Sequence, residues 1–388
     1  MKIIYIGSIS TTDSDFPLLR EFQRCKIDFV AYFPLAEWNK RKGLIAVGEM
    51  LKKDAILKAS EVEAFKVYEK YMPLDNLYVV NSYHYKRYQL QSWFLWIKVL
   101  FHILKQKADI IHFVWPPEKQ QKLLYLLPLK RVLTVHDPFP HSGQMSKGKE
   151  KDRRKAFKLC DIFILLNKVQ EADFRKVYGL NRNQVILSQL GEYDYLRIVS
   201  SERQERLGPF ILFFGQIQPH KGVEYLLEAM KKIHQKHPNV KLIIAGKGSL
   251  YFDKTLYQNL DYIEIRNYYI TVSELASLLQ QCLFAVCPYK DATQSGVVQT
   301  AFSVNVPLIV TDAGSLHCSV KDGEYGLVVP RCDSDALAKA MIRLLEYPEL
   351  LVSFRKNIHE KWHPEMSWEP IAAQYEEIYN SLVVKSES

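Results

Sequence analysis

The residues best suited to chemistry lie at four glycine turns in the second half of the chain. Each turn follows a short apolar run, where a strand of an α/β sheet would end and where ligands of such sheets bind. Lys221 and Gly222 open the helix after the first turn, and a lysine there opposes the helix macrodipole. An anion held between Lys221 and the helix amides would remove that conflict. The four turns are at Gly215, at Gly246 with Gly248, at Ser295–Gly296 and at Gly314.

The stretch PYKDATQSGVVQTAF, residues 288–302, contains the third of these turns. Ser295 is placed to cap a helix, and the amides of Gly296, Val297 and Val298 would then point at a bound group. A side chain larger than glycine at position 296 would keep that group away. An ordinary capped helix here, and a solvent-exposed lysine at the first turn, are the alternatives that these residues leave open.

Two series of strands and helices position these turns. A charged stretch ending in Gly-Pro, residues 200–209, has the composition of a linker between them. Two doubly wound α/β domains are the simplest account, with residues 1–203 in the first, 204–365 in the second, and 366–388 as a terminal amphipathic segment. The predicted strands of the first domain are Lys2–Ile6, Phe29–Phe33, Ile110–Val114, Arg131–Val135 and Ile162–Leu166, with a helix over Leu18–Arg24. The predicted helices of the second are Val223–His234, Ser273–Gln281 and Ser334–Glu346.

Composition and charge limit the possible partners. Hydrophobic residues make up 48% and charged residues 24% of the 388 residues, which is typical of globular domains. Residues 1–200 carry 33 Lys or Arg against 21 Asp or Glu, so the first half is basic, while the second half is near neutral. Nucleic acid, an anionic membrane or a phosphate-bearing substrate would all fit, and so would a solvated basic surface. The six cysteines form no zinc spacing, which indicates a reducing cytosol. We expect neither a signal peptide nor a membrane-spanning helix.

Residues 83–107 combine basic and aromatic side chains. No acidic residue occurs from Asn76 to Ala108. Basic and aromatic residues at helical spacing favour a helix that lies on an anionic bilayer. A buried helix with solvated lysines is the alternative. Nucleic acid is disfavoured because no nucleic-acid-binding motif occurs.

Five motifs, in order over the second half, resemble those of the retaining, nucleotide-sugar-dependent glycosyltransferases of family 4, which have the GT-B fold. The resemblance implies two Rossmann-like domains facing across a cleft, with the terminal helix over 367–379 returning to the first domain. A looser match in the first half comes from the Gly7 turn and LTVHDPFPHSG, residues 133–143. The five motifs are FFGQIQPHKGVEYLLEAM (213–230), LIIAGKG (242–248), PYKDATQSGVVQTAF (288–302), VPLIVTDAGS (306–315) and DGEYGLVVP (322–330).

The resemblance implies a metal-independent hexosyltransferase without a cofactor. A sugar would pass from a nucleoside diphosphate, UDP favoured over GDP, to a lipid-linked or glycan acceptor in bacterial surface-polysaccharide assembly. The enzyme would be cytoplasmic and peripheral on the plasma membrane. The implied catalytic residues are His136, Lys221 and Asp291. The implied donor-binding residues are Gly7, Gly215, Gln216, Lys221, Gly246, Ser295, Gly296, Val297, Val298 and Gln299, and His141 and Ser142 would contact acceptor or sugar.

Two departures from the family pattern keep other functions open. Gln216 stands where the family usually has an arginine. The family's two glutamates, separated by seven residues, are replaced by Asp291 and Gln299, with Thr300 at the adjoining position. A non-catalytic partner subunit with a degenerate GT-B fold is therefore one alternative. A nucleotide-sugar epimerase is another, which the basic aromatic surface of the first half disfavours.

Overall fold

The computed structural model describes residues 1–42, 45–86, 88–139, 147–166, 168–199, 207–257, 259–292, 296–314 and 316–384. The strands in these ranges are β1 (Lys2–Ile6), β2 (Asp28–Leu35), β3 (Arg41–Lys42), β4 (Ile45–Ala46), β5 (Ala55–Lys58), β6 (Leu77–Asn81), β7 (Ile110–Phe113), β8 (Lys130–Val135), β9 (Ile162–Leu165), β10 (Val185–Leu187), β11 (Phe210–Phe214), β12 (Lys241–Ala245), β13 (Ile263–Arg266), β14 (Ala285–Cys287), β15 (Leu308–Thr311) and β16 (Gly326–Val329). The α-helices are α1 (Thr12–Arg24), α2 (Glu63–Lys66), α3 (Leu90–Leu104), α4 (Lys147–Leu159), α5 (Glu171–Tyr178), α6 (Tyr195–Val199), α7 (Val223–Lys236), α8 (Val272–Gln281), α9 (Gly296–Phe302), α10 (Leu316–Ser319), α11 (Ser334–Glu346), α12 (Pro348–Asn357), α13 (His363–Glu365) and α14 (Trp368–Val384).

The chain divides into two compact units, each described here by itself. The first comprises Met1–Gly191 with Trp368–Ser388, and the second Glu192–Ser367. We expected the boundary between the two domains at residue 203. In the structure the division lies between Gly191 and Glu192, so α6 belongs to the second unit. Leu196 of α6 is fully buried, and the Arg197 guanidinium donates a hydrogen bond to the Ser303 carbonyl at 2.7 Å. These contacts fix α6 to the second unit, a tertiary effect that linker composition does not reveal.

An eight-stranded sheet forms the centre of the first unit. Its strand order is β10-β9-β8-β7-β1-β2-β6-β5. Neighbouring strands run parallel except β5 and β6. The chain winds away from β1 in both directions, so the strand order reverses between β1 and β7. The five predicted strands of this half are found as β1, β2, β7, β8 and β9, with ends that differ by at most two residues.

The first helix begins earlier than predicted. We expected it from Leu18, but α1 begins at Thr12. The Ser8 side chain caps a 3-10 turn that leads directly into α1, and Asp13 and Asp15 lie in its first turn. Acidic side chains stabilise this end of a helix. The polar residues that precede Leu18 are therefore in the first turns of the helix.

Helix α14 packs in the first unit together with α1. The rings of Tyr379 and Phe22 are 6.0 Å apart between centroids. The Tyr379 hydroxyl shares a hydrogen bond of 2.6 Å with Nδ1 of His112, and Nε2 of His112 lies 2.8 Å from the Thr134 hydroxyl. Burial lowers the pKa of His112 to about 3. The imidazole is therefore neutral, and both of its nitrogens have partners.

A six-stranded sheet forms the centre of the second unit. Its order is β13-β12-β11-β14-β15-β16, and all neighbouring pairs are parallel. The strand order reverses between β11 and β14. The three predicted helices of this half are found as α7, α8 and α11. The predicted apolar face of α7 is buried, at Val223, Leu226, Leu227, Met230 and Ile233.

Replacing Tyr379 by Phe should destabilise the first unit. The change leaves Nδ1 of His112 buried without its partner, which costs about 1–3 kcal/mol of unfolding free energy. Urea denaturation measures the loss. Tyr88→Phe is the matched control, because Tyr88 is 76% exposed in the same unit. Equal unfolding free energies for the two variants would show that the Tyr379–His112 bond does not hold α14 in place.

Candidate functional site

The carboxyl ends of β11 and β14 meet where the strand order of the second unit reverses. Ligands of doubly wound sheets bind at such a point. Gly215 directly follows β11, and Tyr289 lies two residues beyond β14. Gly215 has a φ of 114°, a conformation that a residue with a side chain rarely adopts. The backbone at this point is therefore specific to glycine.

Lys221 extends its amine over the ring of Tyr289. The Lys221 Nζ atom is 3.7 Å from the ring centroid. Burial lowers the pKa of Lys221 to about 8. None of the carboxylates that the structure describes lies within ion-pair distance of this amine. A partly buried cation that rests on an aromatic face and lacks a carboxylate is available to an anionic ligand.

The loop that carries Lys221 is held tightly against the loop after β14. Gly222 has a φ of 64°, and a Cβ there would lie 2.0 Å from the carbonyl oxygen of Pro288. The amide of Lys290 donates a hydrogen bond of 2.8 Å to the His220 carbonyl. These backbone contacts place Lys221 beside Tyr289. The requirement for glycine at position 222 therefore comes from the protein backbone itself.

Glu224, in the first turn of α7, connects three parts of this site. Its carboxylate accepts a 2.6 Å hydrogen bond from the Tyr251 hydroxyl and a 2.8 Å bond from Nζ of Lys290. The Tyr251 hydroxyl in turn accepts a bond of 2.8 Å from the Val223 amide. The charge of Lys290 is thus paired, whereas Lys221 has no carboxylate partner within the described part of the chain. Sequence reasoning missed Glu224 and Tyr251, although an acidic residue in a first helical turn is a recognisable signal.

Helix α9 begins at Gly296, where a neighbouring side chain also limits the size of the residue. A Cβ at Gly296 would lie 3.3 Å from the ring of Tyr193, so a protein side chain already limits the size of this residue. Val298 is buried, and the Thr300 hydroxyl donates to the Gly296 carbonyl at 2.6 Å. Gln299 is half-buried. Ser295, the expected cap, lies outside the described residues.

Only some of the other predicted donor-binding residues lie close to one another. A Cβ at Gly246 would lie 1.8 Å from the Gly215 carbonyl oxygen, so the ends of β12 and β11 touch through their backbones. The Val297 side chain lies 3.7 Å from the Cβ position of Gly215. The Gln216 side chain instead accepts a 2.9 Å hydrogen bond from Gln218. Asp291 is half-buried in the loop after β14.

In the first unit, His136 follows β8 and stacks on Trp115. The ring centroids are 5.2 Å apart and the planes are 15° from parallel. Burial lowers the pKa of His136 to about 4, so the ring is neutral at pH 7. Its Nε2 atom is buried and has no hydrogen-bond partner among the described residues. Trp115, which sequence reasoning missed, follows β7 at the reversal point of this sheet. His141 and Ser142 lie outside the described residues.

Gly7 follows β1 at the same reversal point. A Cβ at Gly7 would lie 2.5 Å from the Phe33 ring and 3.1 Å from the Asp15 carboxylate. Asp15 accepts hydrogen bonds of 2.9 Å from the hydroxyls of Tyr5 and Thr11. Burial raises the pKa of Asp15 to about 7. The buried carboxyl thus fixes the turn, and its role as an internal acceptor was not visible in the sequence.

Comparison with known proteins identifies the second unit. Residues 208–347 match the family model described as "Glycosyl transferases group 1". This part of the second unit is similar to that glycosyltransferase family. The match covers β11–β16 and therefore includes the Lys221 loop, Tyr289 and α9. The finer assignment to family 4 is consistent with this match and remains a prediction.

Curated relatives match a similar part of the chain. An uncharacterized glycosyltransferase of Methanocaldococcus jannaschii is 30% identical over 176 residues, which are 45% of this chain and 48% of that protein. A phosphatidyl-myo-inositol mannosyltransferase of Mycolicibacterium smegmatis is 26% identical over 181 residues, 46% of either chain. The chain thus spans a little under half the length of these relatives.

Solved structures extend the likeness over both units. The Anabaena HepE structure in complex with UDP-glucose has a TM-score of 0.66 to this chain at 16% identity. The alignment covers 98% of this chain and 100% of HepE. An identity this low shows the fold alone. The predicted GT-B fold, with two Rossmann-like α/β domains, is confirmed.

Replacing Gly222 by Ala should destabilise the second unit more than the same change at Gly323. Both glycines have positive φ, 64° and 72°, which costs alanine roughly 1–2 kcal/mol. A Cβ at Gly323 meets nothing within 4 Å, whereas one at Gly222 meets the Pro288 carbonyl. We expect about 1–3 kcal/mol of additional loss at Gly222, measured by urea denaturation. Equal losses would show that the two loops separate easily and do not fix Lys221.

Proposed function

We propose that this chain is a retaining glycosyltransferase that moves a hexose from a nucleoside-diphosphate sugar to an acceptor hydroxyl, without a metal or cofactor. The observation that carries the proposal is the Lys221 amine, which rests on Tyr289 at the reversal point of the sheet. No carboxylate of the described residues pairs with it, and the surrounding residues match the group 1 glycosyltransferase model. In the reaction, the bond between the anomeric carbon and the diphosphate breaks. A bond to the acceptor oxygen forms, and the hydroxyl proton is released.

Lys221 would stabilise the leaving group. Negative charge grows on the diphosphate as its bond to the sugar breaks, and a fixed cation at that point lowers the barrier. The Gly222–Pro288 contact and the Tyr289 ring hold the amine in place before the donor arrives. Little reorganisation is then needed during the reaction. Asp291, in the adjoining loop, is the proposed acidic residue of the site.

The proposed donor is a UDP-sugar. The HepE structure, which shares this fold, is described as a complex with UDP-glucose. Gly215, Gln216 and Gly246 would surround the diphosphate from the ends of β11 and β12. The start of α9, from Gly296 to Gln299, together with Ser295, would lie over the donor.

The first unit would supply the acceptor side. His136 is neutral, and its buried Nε2 atom has no hydrogen-bond partner in the ranges that the structure describes, so it suits a hydrogen bond to a sugar hydroxyl. Gly7, His141 and Ser142 are the other proposed contacts. A lipid-linked or glycan acceptor at the inner face of the bacterial plasma membrane is the proposed setting. The mannosyltransferase relative, whose name specifies phosphatidyl-myo-inositol, supports a lipid acceptor.

One observation favours a second candidate, a non-catalytic partner subunit. Gln216 stands where family members usually carry an arginine, and it is bonded to Gln218. One cation for the diphosphate is therefore replaced by a neutral side chain. This candidate predicts no binding of UDP, GDP or ADP, and a stable complex with an active transferase.

Calorimetric titration with UDP, GDP and ADP tests the donor site. We expect the wild-type chain to bind one of them, and Lys221→Ala to bind it about 10- to 100-fold more weakly, because a charge-assisted contact contributes about 1.5–3 kcal/mol. Lys231→Ala is the matched control, since Lys231 lies on α7 and pairs with Glu228 at 2.8 Å. Unchanged binding by Lys221→Ala would reject the role of this lysine. No binding by the wild type would favour the partner subunit.

The affinity for the nucleotide should fall as pH rises above 8. The charged amine of Lys221 binds the diphosphate, and its pKa of about 8 means that it loses its proton above that pH. The dissociation constant should rise roughly tenfold per pH unit until the pKa of the bound state is reached. Phosphate titration, near pH 6, does not interfere. The dissociation constant of Lys221→Ala should not rise with pH in this range. If it rises as steeply as that of the wild type, the pH dependence belongs to another group.

A further inference from the structure

Helix α3 of the first unit is apolar on both of its faces. Leu95, Trp96 and Val99 are buried in the core. The outward face carries six large apolar side chains, with Leu90 70%, Phe94 62% and Phe101 58% exposed. A helix on the surface of a globular unit normally presents charged side chains to water. We call this outward face the α3 surface; its apolar side chains are those of Leu90, Trp93, Phe94, Ile97, Phe101 and Leu104.

Helix α4 provides an internal comparison. Its Phe157 and Leu95 of α3 belong to one hydrophobic cluster, so both helices cover the same side of the sheet. Yet the outward face of α4 is basic, with Lys151, Arg154, Lys155 and Lys158 exposed. The apolar character of the α3 surface is therefore not a general property of this side of the unit.

Positive charge surrounds the α3 surface. Lys98, Lys105 and Lys107 are exposed, and none of them forms an ion pair with a residue that the structure describes. No acidic residue occurs between Asn76 and Ala108. Lys98 lies within α3 and Lys105 directly follows it, so the apolar strip has a basic border.

The apolar strip and its basic border together indicate which kind of partner would bind the α3 surface. Two copies of the chain that paired through this surface would bring their lysines together, and like charges facing each other oppose pairing. An anionic bilayer accepts apolar side chains below its headgroups and lysines among them. Within the described ranges no helix is long and apolar enough to cross a membrane.

We propose that the α3 surface docks on an anionic lipid bilayer, with Phe94, Ile97 and Phe101 inserted and Lys98 and Lys105 at the headgroups. The membrane surface would supply the lipid-linked acceptor of the proposed function, and this role of the α3 surface rests on that function. The docking itself is independent of catalysis. It can therefore be measured without an acceptor.

The test is co-sedimentation of the full chain with vesicles of phosphatidylcholine, with or without roughly 30% phosphatidylglycerol. We expect binding to the anionic vesicles that weakens with salt. Phe94→Ser/Phe101→Ser should bind at least about tenfold more weakly, because two large apolar side chains no longer enter the bilayer. Lys98→Gln/Lys105→Gln should lose roughly fivefold per lysine and with it the preference for anionic lipid.

The matched control is Val169→Ser/Val177→Ser, which removes exposed apolar side chains elsewhere in the same unit. It should bind vesicles as the wild type does. Retained binding by Phe94→Ser/Phe101→Ser, or no vesicle binding by the wild type, would overturn the proposal. A wild-type dimer that this variant converts to a monomer, without vesicle binding, would assign the surface to self-association and overturn it as well.

Nucleotide titration on the same samples separates this proposal from the proposed function. A variant that loses vesicle binding but keeps nucleotide affinity supports membrane docking. If the double variant also loses nucleotide affinity, the single change Phe101→Ser replaces it, and unchanged vesicle binding by that variant counts against the proposal. Vesicle binding by a wild type that binds no nucleotide would reject the donor site and leave the docking surface standing.

Discussion

The contact between the backbone of Gly222 and the carbonyl of Pro288 is the constraint on which the site of the second unit depends. It brings the loop after β11 against the loop after β14, across the point where the strand order reverses. Lys221 is consequently held over Tyr289, partly buried and beyond ion-pair distance of the carboxylates that the structure describes. Glu224 and Tyr251 secure the same loop from the start of α7. The result is a cation fixed in place without an ion-pair partner among the described residues, a feature that would suit the proposed diphosphate ligand.

Much of the fold could be predicted from sequence because apolar periodicity is a local property. Strands β1, β2, β7, β8 and β9 and the helices α7, α8 and α11 follow directly from it. The start of α1 and the placement of α6 could not be predicted in this way. The first depends on a cap at Ser8, and the second on a bond from Arg197 to a carbonyl more than a hundred residues away along the chain.

Less of the candidate site than of the fold could be predicted from the sequence. The glycine turns and Lys221 led to the candidate site, because ligands of this fold class bind at the carboxyl ends of strands. The reason why each of these positions requires glycine could not be predicted from the sequence. At positions 222, 246 and 296 the crowding comes from other parts of the protein, and contacts of that kind form only when distant segments meet. Tyr289, Tyr251 and Trp115 were missed for the same reason.

The first unit is built from two pieces of chain that are separated by the whole of the second unit. The second unit is continuous and can complete its core while synthesis proceeds. The first unit cannot do so, because Tyr379 of α14 packs on His112 and Phe22 in its core. Tyr379 is synthesised nearly two hundred residues after the rest of that core. During synthesis this side of the first sheet therefore stays uncovered, a form of exposure that invites chaperone binding. The second unit can thus complete its core before the first, although it comes later in the sequence.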